Sequence, residues 1–281
     1  MTSTRNCLKA WMKTLVMLWA VMDVSFLVAQ DTQTGNALGD AAINAVNPAA
    51  FITKLQVQPN FTWKKDDAKQ LVLVSRLIQP SRSLGLPFIK SSDPAKVYTL
   101  YRLEVPFIGQ TFPNASEASA TGLSDMILLS IVAFKQSWGI VGVGSGLVIP
   151  VVNPAAISGG KWCTGVSGFI LNTQTRKLMY GFSAQQFFSF AGAEDRSERN
   201  FMILQPILNK ILSDGYFVSF SPSIILDWAN GTSTAPIGVS FGKAFAKNLT
   251  AFISPQVNVS GPGKGEFTLQ FQLNTMFPPV K

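Results

Sequence analysis

One segment constrains the fold of this chain more than any other: Glu266–Phe277, read EFTLQFQLNTMF. Phe267, Leu269, Phe271 and Leu273 fall on one parity, and Thr268, Gln270, Gln272 and Asn274 on the other. Side chains of a strand alternate between faces, so this strand has an apolar face and an amide face. A strand of a water-soluble sandwich alternates in the same way. Two features favour a membrane. The segment has about the length of a membrane-spanning strand, roughly 9–11 residues. The pattern also recurs along a chain that opens with an export-type segment. Apolar side chains toward lipid and polar ones toward water describe an all-β, antiparallel transmembrane β-barrel.

In the opening segment Arg5, Lys9 and Lys13 form a basic region, and Leu15 to Val28 form an apolar one interrupted by Asp23. This fits a signal peptide cleaved near Ala29 or Gln30. The expected organisation is a signal peptide over residues 1–29, a leader or hatch over 30–50 and an outer-membrane barrel over 51–281. Cleavage removes Cys7 and leaves Cys163 alone, so no intrachain disulfide is expected and Cys163 reads as a small packing residue. It also lowers the formal charge from +8 to +6, because Arg5, Lys9 and Lys13 leave with Asp23. Charged residues make up only 14% of the chain, well below the usual quarter. Lys64, Lys65, Lys69, Lys90, Lys96 and Lys161 are scattered over strand ends and loops. No basic stripe with interleaved aromatics exists, so nucleic acid is not expected as a partner. These lysines are expected to face lipid phosphate or lipopolysaccharide headgroups.

The leader, Asp31 to Ala50, is rich in Ala, Gly and Asn. It suits neither a lipid-facing strand nor a stable free helix, which leaves a flexible leader or a segment folded into the barrel mouth. About twelve strands follow: 54–63, 69–79, 97–108, 122–134, 138–150, 161–173, 177–190, 201–212, 216–227, 235–245, 249–260 and 266–277. The number is even, as bacterial barrels require. Pro59 sits on the apolar parity of the first strand, which costs a ladder bond and predicts a bulge. Gly142, Gly144 and Gly146 fall on the inward parity of the fifth, leaving room in the lumen or allowing close approach by something within it. Ser213-Asp214-Gly215 reads as a tight turn with positive φ. From the third strand on, odd strands are followed by long connections and even ones by short turns, as in barrels with both termini in the periplasm. Pro80 to Lys96 breaks that rule, so either the first three strands are misassigned or the segment is an insertion. Trp63, Trp138, Trp162 and Trp228 all fall at strand ends, where aromatic girdles sit.

The chain has no histidine, which removes Ser-His-Asp catalysis and the commonest metal ligand together. With one mature cysteine, zinc sites of the Cys/His type are not expected either. No catalytic residue, metal or cofactor is assigned, and the chain is not read as an enzyme. The candidate lumen-facing residues are Arg76, Arg102, Glu104, Asp125, Gln205, Asn209 and Asp227, read as a solvated or Arg-paired network. The candidate hatch residues are Asn47 and Pro48.

An ordered series of short motifs spans most of the mature chain: Arg102-x-x-x-Pro106, Gly122-Leu123-Ser124-Asp125, Gly142-Val143-Gly144 with Pro150, and Gly160-Lys161-Trp162 with Gly165. It continues with Tyr180-Gly181, Gln205-Pro206 and Asn209, Asp214-Gly215-Tyr216, Ser221-Pro222, Asp227-Trp228 and Pro236-Ile237-Gly238. This series resembles the outer-membrane channel family named for phenol meta-pathway degradation clusters. The leader motif Gly39-Asp40-Ala41-Ala42 with Asn47-Pro48-Ala49 is similar to the hatch of long-chain fatty-acid channels. The resemblance implies passive uptake of small hydrophobic or aromatic compounds across the outer membrane of a Gram-negative cell. It also implies outer-membrane lipid, lipopolysaccharide, the barrel-assembly machinery and a small apolar solute as partners. The alternative is a non-conducting structural or surface-interaction barrel, its lumen packed shut. The sequence departs from the family in Pro80 to Lys96, and in the tail Pro278-Pro279-Val280-Lys281 that follows Phe277.

Overall fold

A computed structural model describes residues 35–65, 67–84, 86–91, 93, 95–111, 120–151 and 155–278. The expected signal peptide lies outside the described residues. Twelve antiparallel strands close on themselves. They are β1 (Thr53–Trp63), β2 (Lys69–Ser81), β3 (Val97–Thr111), β4 (Thr121–Leu123 and Met126–Lys135), β5 (Gly139–Ile149) and β6 (Lys161–Thr175). The others are β7 (Leu178–Gly192), β8 (Asn200–Ile211), β9 (Tyr216–Phe220 and Ile224–Asp227), β10 (Thr232–Thr234, Pro236–Gly238 and Ser240–Ala246), β11 (Leu249–Asn258) and β12 (Phe267–Phe277). β1 pairs with β12, which closes the wall. Among the described residues one helix, α1 (Gly35–Val46), precedes them.

The outward side chains distinguish this wall from a sandwich. Val166 is 68% exposed, Phe245 59% and Val143 58%, and each alternates with a buried inward neighbour. So continuous an apolar exterior is insoluble in water and suits hydrocarbon. Both ends of the barrel chain and the short turns 136–138, 176–177, 212–215 and 247–248 lie at one rim, the terminal rim. The longer connections, apart from the one between β2 and β3, leave from the opposite, loop rim. Trp63, Trp162 and Trp228 sit at the loop rim and Trp138 at the terminal rim, as an interfacial aromatic girdle requires.

Four local expectations are refined. Residues 82–96 are an insertion at the terminal rim, where Ser83–Leu84 pairs with Leu86–Lys90 in a separate hairpin. Pro59 does cost ladder bonds to β12, since pairing passes from Val57↔Leu273 to Asn60↔Gln270, but the spacing is equal on both strands and there is no bulge. β4 is broken between Leu123 and Met126. β9 and β10 are broken too: Ser221-Pro222-Ser223 leaves the β8 ladder, and the β9–β10 ladder stops between Ser219↔Ser240 and Ile225↔Thr234. Pro222 and Pro236 lack the N–H a ladder needs, and both lie in the stretch where the wall is unlaced.

Inward glycines on β5 and β10 do not leave space. A Cβ at Gly142 would fall 2.2 Å from the Phe169 ring, one at Gly146 2.6 Å from Phe187, and one at Gly242 2.1 Å from Phe217. Phe169 and Phe217 come from the adjacent strand and Phe187 from the strand beyond it, and each ring covers bare backbone, the packing that rescues glycine in a sheet.

Candidate functional site: the lumen and its plug

α1 lies inside the barrel at the terminal rim. A helix of this length is marginal on its own in water. Here Ala41, Ala42 and Ala45 pack against the inward Ile211, Phe217, Ala244 and Met276. Small residues let the helix approach the wall closely. Gly215 is part of that fit: its φ is +75, and a Cβ there would stand 2.9 Å from the Leu38 Cβ. At the exposed side Asp40 pairs with Arg176 of the β6–β7 turn.

The helix has no basic residue in its last turn. The wall supplies what is missing. The carbonyl of Asn44 would ordinarily accept from residue 48, which is a proline without an N–H. Lys54 of β1 replaces that donor: its Nζ lies 3.1 Å from the Asn44 carbonyl and 2.5 Å from that of Asn47. An ammonium there also complements the negative end of the helix dipole. Lys54 is 1% exposed. Asn209 Nδ2 donates to the Val46 carbonyl at 3.3 Å, and the Tyr98 hydroxyl donates to the Ala49 carbonyl at 2.6 Å. Asn47 Oδ1 accepts from the Ala49 N–H at 2.9 Å, closing the Asn-Pro-Ala turn. Sequence reasoning named Asn47, Pro48 and Asn209 but missed Lys54 and Tyr98. A proline four residues after a helical carbonyl, followed by a lysine at the start of a strand, was the available signal for Lys54.

Above the plug a row of hydrogen-bonding groups crosses neighbouring strands in register: Thr250, Asn274, Gln56, Arg76 and Glu104. Asn274 Nδ2 donates to Thr250 Oγ1 at 2.9 Å, and Gln56 Nε2 to Asn274 Oδ1 at 3.0 Å. Arg76 Nε lies 2.5 Å from Glu104 Oε2, and Arg76 also donates to Gln58. Arg102 Nη2 lies 3.9 Å from the same carboxylate oxygen. It donates to Gln185 Oε1 of β7 at 3.3 Å. β4, β5 and β6 separate β3 from β7 in the sheet, so this contact spans the lumen.

The opposite wall is apolar. Leu129, Val148, Cys163, Phe187 and Phe201 form a buried cluster, with the Phe187 and Phe201 rings stacked at 5.3 Å. Cys163 packs here. The lumen is therefore two-sided: amides and charges predominate on β11, β12 and β1–β3, and hydrocarbon on β4–β8, where Gln185, Gln205 and Asn209 are polar exceptions.

The remaining candidates lie elsewhere. Asp125 sits in the break of β4 at the loop rim, accepting from Ser158 Oγ at 2.6 Å, the Gly159 N–H at 2.9 Å and Arg199 Nη1 at 2.7 Å. Arg199 lies over the Phe201 ring at 4.8 Å. Lys161 Nζ lies 2.7 Å from Glu198 Oε1, and Ser189 donates to the same carboxylate. These two bonds hold the Glu198 carboxyl below the usual carboxylate range, the one from Lys161 first. Asp227 accepts from Asn230 and caps the β9–β10 loop. Gln205 Nε2 reaches the Ser221 carbonyl, freed by the break in β9, at 3.2 Å. Glu104, Asp125 and Asp227 thus occupy three separate settings and do not pair. No cluster of metal-ligating side chains forms among the described residues.

This architecture is that of a twelve-stranded outer-membrane β-barrel closed at one end by its own N-terminal helix. Among solved structures the chain is similar to an outer membrane channel from Pseudomonas putida F1, with TM-score 0.61 and 12% identity over 83% of this chain and 100% of that one. Weaker likenesses are to the β domain of the Bordetella autotransporter BrkA (TM-score 0.42, 10% identity, 80% of this chain and 98% of that one). Pseudomonas putida OprB follows (TM-score 0.27, 10% identity, 80% and 92%). The first of these likenesses is one of fold. No protein-family model matches the chain, and no curated protein does.

Proposed function

We propose that this barrel is an outer-membrane channel of the phenol-pathway type, taking up small hydrophobic or aromatic compounds passively and closed at its periplasmic end by α1. The observation that carries the reading is the combination of a two-sided lumen with a plug held by side-chain bonds. Once the packed interior opens, Leu129, Phe187 and Phe201 offer hydrocarbon to a ring, while the amide and guanidinium row receives a polar substituent. The plug's own bonds come from separate side chains of the wall, so the helix can leave without unlacing the strands. Export by a signal peptide, assembly by the barrel machinery and contact with lipopolysaccharide belong to the same reading.

One observation favours the alternative, a non-conducting barrel: Arg102 and Gln185 meet across the lumen. A twelve-stranded barrel has a modest bore that side chains can fill. Liposome swelling with the wild type and with a deletion of residues 31–50 separates the two readings. Solute flux that rises on deletion is the expected result. No flux from either protein, with both barrels folded, would establish the non-conducting reading.

A further inference from the structure

Between the two rims the inward-facing charged residues, among those described, are Lys54, Arg76, Arg102 and Glu104. Lys54 is occupied by the carbonyls of the plug. In mid-lumen one carboxylate therefore stands between two guanidinium groups. Glu104 is drawn to Arg76 at 2.5 Å and is 3.9 Å from Arg102. Arg76 also has the Gln58 amide oxygen. Arg102 has a neutral amide at 3.3 Å, and its buried Nε has no partner. A guanidinium carries five donors, and that of Arg102, 26% exposed, keeps most of them without a protein acceptor.

The surroundings of Arg102 are specific. Leu129 of β4 is its register partner. Gln185, which it touches, is followed two residues later on the same inward parity by Phe187, and both Leu129 and Phe187 are fully buried. Under-used, fork-shaped donors thus adjoin a wall made of an aromatic ring and a branched aliphatic chain. A planar carboxylate matches a guanidinium in geometry and charge, which no neutral hydrocarbon does.

We infer that Arg102 anchors a subsite for a small aromatic or branched-chain carboxylate, whose apolar part Leu129 and Phe187 receive once the Arg102–Gln185 contact opens, so that the solute of this channel is an organic anion. The inference rests on the channel reading for its transport consequence, while the subsite itself stands on the geometry. When such an anion binds, its carboxylate takes the Arg102 donors and displaces the Gln185 contact that spans the lumen. The solute thereby loosens the cross-lumen tie that would otherwise obstruct it.

The test uses the full chain in planar bilayers and in detergent, with benzoate, benzamide and benzylamine as probes. In a KCl gradient the reversal potential of the wild type is expected to show anion preference. Benzoate is expected to reduce the KCl current at concentrations about tenfold or more below those of benzamide, the ratio a charge-assisted pair confers. Arg102→Gln is expected to lose both the anion preference and the distinction between probes. Arg102→Lys, which keeps the charge, is expected to retain the preference and weaken the block. Heat-modifiable mobility on gels verifies that each variant is folded. Cation preference, equal block by benzamide, or an Arg102→Gln protein indistinguishable from wild type would overturn the inference. If none of these plugged proteins conducts, the subsite is judged by thermal stabilisation. Benzoate raising the melting temperature of the wild type but not of Arg102→Gln supports it, and no such difference refutes it.

Discussion

Replacing Lys54 by Met is the sharpest probe of how the plug is held. The two hydrogen bonds from its ammonium, at 3.1 and 2.5 Å, contribute about 1.5–3 kcal/mol each as bonds from a charged donor. Desolvating the ammonium opposes this, by several kcal/mol for a buried ion lacking a counter-ion. If that cost dominated, Met would tighten the plug. The variant also strips donors from buried carbonyls, at about 1–3 kcal/mol for each one left unsatisfied. Asn44 is the one most affected, since Pro48 can offer it nothing. The balance is roughly 2–4 kcal/mol against docking, or roughly 30- to 900-fold in the docking equilibrium. Amide hydrogen exchange over residues 35–50 reads this directly and does not depend on conduction. Exchange is expected to accelerate by that factor while the strands keep their protection. Tyr98→Phe removes one neutral bond to Ala49, about 0.5–1.5 kcal/mol, and is expected to accelerate exchange only a few-fold. A Lys54→Met protein with unchanged or slower exchange, or one matched by Tyr98→Phe, would refute the latch.

Three further outcomes follow from the same contacts. Gly215→Ala places a methyl 2.9 Å from Leu38 and 3.1 Å from Ala244 at a left-handed φ. It is expected to cost about 1–2 kcal/mol in backbone strain alone and to speed exchange of α1, leaving the gel mobility of the folded barrel unchanged. Asp125→Asn removes the charge that gathers Ser158, Gly159 and Arg199. Proteolysis within 193–199 is expected to quicken about tenfold, matching the loss of one charge-assisted bond. Glu198 sets a pH dependence. A carboxyl whose folded pKa is depressed contributes stability above its unfolded value and loses it as pH falls through the folded one. Loop cleavage in the wild type is therefore expected to stay slow from neutral pH down through the ordinary carboxylate range and to rise only below it. Glu198→Gln is expected to cleave faster at neutral pH and to converge with wild type in acid. Divergence appearing only in alkali would contradict this assignment.

Much of the wall could be read from parity, because a one-residue error would turn every side chain of a strand to the wrong face. Arg102 and Glu104 alternate with Tyr101, Leu103 and Val105, and that alternation alone sets them on the lumen side. The odd–even rule of loop lengths was equally legible, including its exception, since a hairpin inserted at 82–96 lengthens a turn without disturbing the register of β2 with β3. What escaped was any contact made across the barrel. Lys54 meets the end of a helix, and Gln185 meets a strand four places away; neither relation has a sequence period. The rings of Phe169, Phe187 and Phe217 over inward glycines also escaped, because a glycine on the lumen parity reads equally well as empty space or as a seat for a neighbour.

The last distinction bears on how such a barrel could conduct. Because rings occupy the glycine seats, the lumen is obstructed at two levels: by α1 at the terminal rim and by the Arg102–Gln185 contact above it. The two share no side chain, so they act in series. Releasing the plug with Lys54→Met is then expected to raise hydrogen exchange far more than it raises current, since the upper contact still stands. Arg102→Gln alone leaves the plug in place and is expected to conduct little more than wild type. Only the double variant removes both obstructions, and its current is expected to exceed the sum of the increments from the single variants. Simple additivity would mean that the two contacts do not lie on one path. The amide row and the apolar cluster would then line a closed interior that solute never traverses.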